Sequence, residues 1–169
     1  MSIDPKIKPY DVYPAAVRAE MDAAAIYRNL KDRVRNEPLR QKLDFLAKEE
    51  DRHKAILERL FHDHYPERTL VVPAESKRPG AKVEVDDATA VPALFNLALR
   101  KEKEAEAYYK DAMTTVEDGH SRKILGYLSR VERSHYYMIK SEIELLEKFP
   151  DSYNAEAEYF GQDLFHVGT

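Results

Sequence analysis

The 169-residue sequence contains no cysteine and no tryptophan, and it has only five glycines. The lack of cysteine excludes disulfide bonds, thiolate zinc sites, Cys-x-x-Cys redox pairs and iron–sulfur clusters held by these residues. It also fits a reducing compartment, and we expect the protein to be cytoplasmic. The scarcity of glycine, together with 34% charged residues, favours long solvated helices.

The sequence also lacks a basic surplus and a long apolar run. Its formal net charge is −4, so no excess of positive charge can neutralise phosphates, and we expect no nucleic-acid partner. The N-terminal residues lack the apolar run of a signal peptide, and the longest apolar patch, at about 90–99, is broken by Pro92 and Asn96. We therefore expect no membrane-spanning segment. We expect one domain, 1–169, because 169 residues is an ordinary length for a single domain, and an apolar content of 43% suits a globular core.

Apolar residues recur with helical spacing in four long segments, at about 11–36, 38–64, 88–117 and 120–149. Short turn signals separate the first helix from the second and the third from the fourth. The proline-rich stretch from His62 to Asp86 is too long for a hairpin turn and predicts a crossover between helices 2 and 3. Apolar spacing in the tail predicts a short C-terminal helix at about 152–166. The sequence thus predicts an all-α four-helix bundle with one long crossover.

The two halves of the chain repeat each other at an offset of 82 residues. Polar positions that interrupt the apolar stripes coincide under this shift: Glu20 with Glu102, Tyr27 with Tyr109, Glu50 with Glu132, and His53 with His135. At about 1.5 Å of rise per residue, the two glutamates of each half lie roughly 24 and 18 Å from their shared turn. Two such hairpins around a pseudo-two-fold axis would bring the four glutamates together at mid-bundle.

Two Glu-x-x-His motifs place a carboxylate and an imidazole on one helical face, where both can bind one metal ion. The spacing alone is weak evidence, because Glu117-x-x-His120 also has it and lies at a turn. Two copies in register, each with a core-facing glutamate at the same offset, indicate a site. Buried carboxylates need paired charges, and two divalent cations would balance four of them. The predicted metal ligands are Glu20, Glu50, His53, Glu102, Glu132 and His135.

Three further residues lie on the helix faces that are predicted to point into the bundle. Tyr27 and Tyr109 each follow the first glutamate of their half by seven residues, so each phenol can hydrogen-bond a ligand carboxylate or simply pack in the core. Glu106 is either an additional carboxylate ligand or an ion-pair partner of Lys103 or Lys110. Carboxylate and imidazole donors suit iron or manganese, and zinc could occupy the same site.

These motifs resemble the rubrerythrin-like branch of the ferritin-like di-iron superfamily over about residues 11–148. The resemblance implies a ferritin-like bundle in which Glu50 and Glu132 bridge two metal ions and the other four ligands are terminal. Rubrerythrins proper also carry a rubredoxin domain with four cysteines, which these 169 residues do not contain. They have a second glutamate three residues after the first on helix 3, where this chain has Ala105, and Glu106 is the nearest substitute.

The resemblance implies a di-iron oxidoreductase that passes electrons from an external donor to hydrogen peroxide or dioxygen. Two alternatives use the same ligands: ferroxidase activity with iron storage or delivery, and manganese-catalase-like activity. A third is an interaction module in which the metal is structural. We expect two divalent metal ions, with iron preferred, and a homodimer.

Overall fold

The computed structural model describes residues 9–75 and 89–151, and all regular secondary structure in these ranges is helical. Four helices follow in order: α1 (Pro9–Arg33), α2 (Glu37–His64), α3 (Val91–Thr115) and α4 (Gly119–Lys148). The predicted all-α four-helix bundle, with its long connection between α2 and α3, is thereby confirmed. The predicted tail helix at 152–166 lies outside the described residues.

The helix ends differ from the predicted ones by at most three residues, and α2 ends at His64 as predicted. Helix α1 begins at Pro9 instead of residue 11, and it ends at Arg33 instead of residue 36. It ends early because Asn36 takes an extended conformation as the N-cap of α2. Helix α3 begins at Val91, three residues later than predicted, with Ala90 as a cap that makes no side-chain hydrogen bond. Pro92 fits the start of α3, where a backbone N–H is not needed.

Two short turns of equal length close the hairpins α1–α2 and α3–α4. In the first, Asn36 Oδ1 accepts a hydrogen bond of 2.9 Å from the Leu39 amide. In the second, an Asp118 carboxylate oxygen accepts one of 2.6 Å from the Ser121 amide. Asn36 and Asp118 are themselves 82 residues apart, so the repeat extends to the caps. Each cap satisfies backbone donors that the helix start leaves open.

The two hairpins pack together along α1 and α3. Helix α1 lies against both α2 and α3, α4 lies against α3, and α2 and α4 meet more loosely than these three pairs do. Helices α3 and α4 come close at Gly126, where an added Cβ would lie 3.2 Å from the Met113 Cε. In the described residues, no helix combines the length and the apolarity that a bilayer crossing requires.

The core consists of two apolar clusters that flank a polar layer. One cluster contains Tyr13, Phe61 and Leu125, and the other contains Leu30 and Leu43. On every helix, the glutamates and histidines of the repeat lie between the segments that supply the two clusters. The bundle therefore holds its polar residues at mid-height, where apolar side chains separate them from both ends.

Candidate metal centre

The six predicted ligands all point into the polar layer and are almost completely buried. Each has 2% or less of its surface exposed, although none of them is apolar. Helices α1 and α3 each supply one glutamate, and α2 and α4 each supply a Glu-x-x-His pair. The six residues are Glu20, Glu50, His53, Glu102, Glu132 and His135.

The donor atoms of these residues form two overlapping groups, each with ligand atoms within 4.8 Å of one another. One group contains Glu20 and His53, and the other contains Glu102 and His135. Glu50 and Glu132 belong to both groups. The arrangement therefore follows the 82-residue repeat, with two glutamates shared between two equivalent halves.

Each histidine directs Nδ1 toward carboxylates from three helices. His53 Nδ1 lies 2.8 Å from Glu132 Oε1, 3.1 Å from Glu50 Oε2 and 3.8 Å from an oxygen of Glu20. His135 Nδ1 lies 3.0 Å from Glu50 Oε1 and 3.7 Å from Glu102 Oε2. The two imidazole rings stack, with centroids 5.6 Å apart and planes inclined by 17°. The centre is thus compact, and its donors converge from all four helices.

Several of these converging atoms have no hydrogen-bond partner. The unpartnered buried atoms of the described side chains all belong to this cluster: Glu50 Oε1, His53 Nε2, Glu102 Oε2, Glu132 Oε1 and His135 Nδ1. The 2.8 Å separation of His53 Nδ1 from Glu132 Oε1 is short, but its geometry is not that of a hydrogen bond. Buried polar atoms are rarely left unsatisfied. Oxygen and nitrogen donors that face one another without hydrogen bonds fit the ligand shell of bound metal ions.

Without metal, burial and mutual charge shift the pKa values of the cluster in opposite directions. Burial, reinforced by the charge of Glu50, raises the pKa of Glu20 well above its usual value. Burial likewise raises the pKa of Glu132, and the charges of Glu20 and Glu50 add to the effect. Burial opposes ionisation of Glu50 too, but both histidines outweigh it and lower the pKa of Glu50 to about 2.

The two histidines take up protons in the same metal-free state. Burial alone would lower the pKa of His53, but Glu132, Glu20 and Glu50 outweigh it and raise the pKa to about 12. In the same way Glu102 and Glu50 raise the pKa of His135 to about 9. In the metal-free centre, protons on the histidines therefore balance carboxylate charge that bound cations would otherwise balance.

Tyr27 and Tyr109 hydrogen-bond carboxylates of the centre, each on the opposite hairpin. The Tyr27 hydroxyl donates to Glu102, and the Tyr109 hydroxyl donates to Glu20. Burial and the nearby charge of Glu102 raise the pKa of Tyr27 well above its usual value, which keeps this phenol a donor. Glu20 and Glu102 are thus each held by a tyrosine on the other half of the repeat.

Glu106 does not join either group of donor atoms. Its Oε1 pairs with Lys110 Nζ at 2.5 Å and with Arg133 at 2.6 Å. Partial burial works against ionisation, but these two cations hold the pKa of Glu106 below its usual value. The ion pair with Lys110 was one of the two outcomes that the sequence left open. The contact with Arg133 on α4 depends on how α3 and α4 pack, which local spacing does not encode.

The Glu-x-x-His spacing at Glu117 and His120, which is not part of the repeat, lies at the turn between α3 and α4. Both side chains are exposed, and neither belongs to a group of converging donors. His62 and His64 are also exposed, at the end of α2. Burial in the folded bundle therefore distinguishes the two motifs of the repeat from the exposed motif of the same spacing.

A small cavity between α1 and α3 is lined by three of the predicted ligands and by alanine and lysine side chains that the sequence patterns did not single out as part of a site. It has room for about one water molecule. The only available signal was the repeat, which aligns Ala23 with Ala105 and Ala19 with Lys101. The lining residues are Ala19, Glu20, Ala23, Lys101, Glu102, Ala105 and Glu132.

Comparison with known proteins agrees with this architecture. The rubrerythrin family model matches residues 12–143, which include the whole cluster. A hypothetical protein from Pyrococcus furiosus has a similar structure, with a TM-score of 0.74 and 27% sequence identity over 85% of this chain and 92% of that one. No curated protein sequence matches the chain. With four helices, two Glu-x-x-His pairs at their centre and a family match over most of its length, the chain belongs to the rubrerythrin family.

Proposed function

We propose that the buried cluster holds two divalent metal ions, with iron preferred, and that the protein is a di-iron oxidoreductase that reduces hydrogen peroxide or dioxygen. The observation that carries this proposal is the pair of overlapping donor groups, in which Glu50 and Glu132 are shared and five buried atoms lack hydrogen-bond partners. A structural core would have no reason to keep such atoms unsatisfied.

The two donor groups suggest how the ligands would be divided. Glu20 and His53 would hold one ion, Glu102 and His135 would hold the other, and Glu50 and Glu132 would contribute to both. Four carboxylates would balance two divalent charges, and both imidazoles would bind as neutral donors. Bound iron would supply redox electrons and Lewis acidity at this position. Membership of the rubrerythrin family favours iron over other divalent metals.

The surrounding protein would support such a centre in two ways. Tyr27 and Tyr109 fix one oxygen of each terminal carboxylate, so the remaining oxygens stay directed into the centre. The apolar clusters on either side exclude bulk water and lower the local dielectric, which strengthens the interaction of carboxylates with cations. Because the sequence contains no cysteine, we propose that electrons come from a separate donor protein or cofactor.

The proposal can be tested on protein that has been freed of metal and reloaded anaerobically with ferrous iron. Elemental analysis should give about two iron ions per chain, as expected from two donor groups. Rapid mixing with hydrogen peroxide should then oxidise the bound iron faster than free ferrous ion at the same concentration. Oxidation no faster than that of free iron would contradict the proposed activity. A Glu117→Gln, His120→Gln double variant is the matched control, because it removes an exposed motif of identical spacing.

Protein loaded with manganese separates this activity from catalase-like activity. Release of oxygen from peroxide by the manganese form, with an inactive iron form, would assign the site to manganese instead. Consumption of peroxide by the iron form, dependent on an added reductant, would support the proposed reaction.

A further inference from the structure

Helix α4 carries large apolar side chains on the face that points away from the bundle. Tyr127 is 50% exposed, Leu145 is 44% exposed and Phe149 is 60% exposed. Val131 and Met138 lie between them on the same face and are half-buried. An exposed apolar stripe that runs along one helix indicates a contact surface.

Two serines complete this stripe without making it polar. Ser134 and Ser141 are exposed, but each hydroxyl donates a hydrogen bond to a backbone carbonyl one turn earlier on α4, at 3.2 and 3.0 Å respectively. A hydroxyl that is already bonded to its own helix can be covered by an apolar neighbour without losing a partner. The α4 stripe is therefore uncharged throughout, and it consists of Val131, Ser134, Met138, Ser141 and Leu145.

The repeat provides an internal comparison, because α2 has the same position in its hairpin as α4. The five residues of α2 that coincide with the α4 stripe under the 82-residue shift are Glu49, Arg52, Ile56, Arg59 and Asp63. Four of these five are charged, and they form ion pairs along their own helix, Glu49 with Arg52 and Arg59 with Asp63. Such a face is typical of a solvated helix. The apolar stripe is thus specific to α4, since the bundle tolerates charges at the equivalent positions of α2.

The sequence that follows α4 has an apolar pattern with matching intervals. Tyr153, Ala157, Phe160, Leu164 and Val167 are separated by four, three, four and three residues. Counted backward from Leu145, the residues of the α4 stripe are also separated by four, three, four and three residues. Two antiparallel helices with such stripes can pair them layer by layer, as in a coiled coil.

The link after α4 has the length of the two hairpin turns. Asn36 follows the last residue of α1 by three positions, and Asp118 follows the last residue of α3 by three. Asp151 follows Lys148, the last residue of α4, by the same three positions, and the chain turns at Pro150 and Asp151. Asparagine and aspartate are favoured caps at a helix start. The link is therefore suited to begin another helix that runs back along α4.

We propose that the predicted tail helix, at about 152–166, packs antiparallel on the α4 stripe as a fifth helix of the protein. The matching intervals place Tyr153 level with Leu145, and Phe160 level with Met138. A helix of about 15 residues is marginal by itself in water, so the tail helix depends on the surface that it covers. This inference goes beyond the proposed function, and it does not depend on bound metal.

A pair of introduced cysteines tests the contact, because the sequence contains no other cysteine that can react. Ser141→Cys with Ala157→Cys joins two positions that the matching intervals place level, and mild oxidation should give a disulfide within one chain. The control is Arg59→Cys with Ala157→Cys, since Arg59 is the α2 counterpart of Ser141. Mass spectrometry should show a disulfide that forms at least about tenfold faster in the first pair. Equal rates in the two pairs, or a disulfide only between two chains, would overturn the proposal.

Hydrogen exchange tests the same contact without a new covalent bond. Backbone amides at 153–166 should exchange at least about tenfold more slowly than those of an unstructured chain. Leu145→Asp places a charge in the α4 stripe and should remove most of this protection. Tyr127→Asp changes the same face one turn beyond the residue paired with Val167, and it should leave the protection in place. Exchange at the unstructured rate in the unmodified protein, or protection that survives Leu145→Asp unchanged, would overturn the docked helix.

The other candidate occupant of the α4 stripe is a second copy of the chain. A second copy packed along this face would lose contacts in both aspartate variants, because Tyr127 and Leu145 lie on one continuous face. We expect light scattering to give the same mass for the unmodified protein and for both variants. Dissociation of an oligomer by both substitutions would assign the α4 stripe to a second copy and would overturn docking of the tail.

Discussion

Glu20 on α1 accepts a hydrogen bond from the hydroxyl of Tyr109 on α3, a residue 89 positions later in the chain. The repeat supplies the counterpart, in which Tyr27 donates to Glu102 from the first half to the second. These crossed contacts join the hairpins through the same carboxylates that face the centre. Positioning of Glu20 and Glu102 is therefore a property of the assembled bundle.

Replacement of Tyr109 by phenylalanine should destabilise the metal-free bundle by about 1–3 kcal/mol, because the buried carboxyl group of Glu20 loses its hydrogen-bond donor. It should also accelerate release of metal to a chelator. Tyr108→Phe is the control, since the Tyr108 hydroxyl donates to the Val12 carbonyl, away from the cluster. Urea unfolding and chelator kinetics measure the two effects. Equal metal release from both variants would contradict a role for Tyr109 at the centre.

Glu50→Gln should reduce bound iron more than His53→Gln does. Glu50 belongs to both donor groups, whereas His53 belongs to one. We expect at most about one firmly bound ion per chain in His53→Gln and less than that in Glu50→Gln. Elemental analysis after dialysis measures this difference. Two ions per chain in either variant would show that the donor groups are assigned wrongly, and His120→Gln should leave the content unchanged.

The stability of the metal-free protein should fall as pH rises from about 6.5 to 9. The pKa of His135 is raised to about 9 in the folded protein against a usual value of 6.5. Its stabilising contribution is therefore complete below pH 6.5 and is lost as pH rises through 9, a change on the order of 3 kcal/mol. The raised pKa values of Glu20 and Glu132 act in the same direction. Thermal unfolding in a chelator would measure the trend, and a flat profile would contradict it.

Metal binding should release protons. At pH 7, the raised pKa values of about 12 and 9 mean that His53 and His135 carry protons in the metal-free protein, and both must give them up to act as ligands. We expect at least about two protons per chain on loading with two ions. Calorimetric titration in buffers of different ionisation enthalpy measures the number directly, and binding without proton release would contradict the metal-free charge state.

Removal of the α4 cap tests whether stability and metal binding are separate. Asp118→Ala removes the acceptor for the Ser121 amide and should destabilise the protein by about 1 kcal/mol. Because the cap lies at the turn and the centre at mid-bundle, the iron content should stay at about two ions per chain. A loss of iron in this variant would mean that the centre depends on the helix end.

The sequence by itself determined the helical architecture and the identity of the six glutamates and histidines that meet in the buried cluster. Helical spacing is a local property, and the 82-residue repeat placed Glu20, Glu50 and His53 in step with their counterparts. The helix ends shifted by up to three residues, because caps such as Asn36 and Ala90 compete with apolar periodicity at each end.

Only the tertiary structure decided which residues of different helices meet. The crossed tyrosine contacts, the pairing of Glu106 with Arg133 and the cavity beside Lys101 all join segments that are distant in sequence. Spacing along a helix places a residue on a face, but packing decides what that face contacts. The bundle fold thus converts two weak local motifs into one buried centre, whose donors come from four helices.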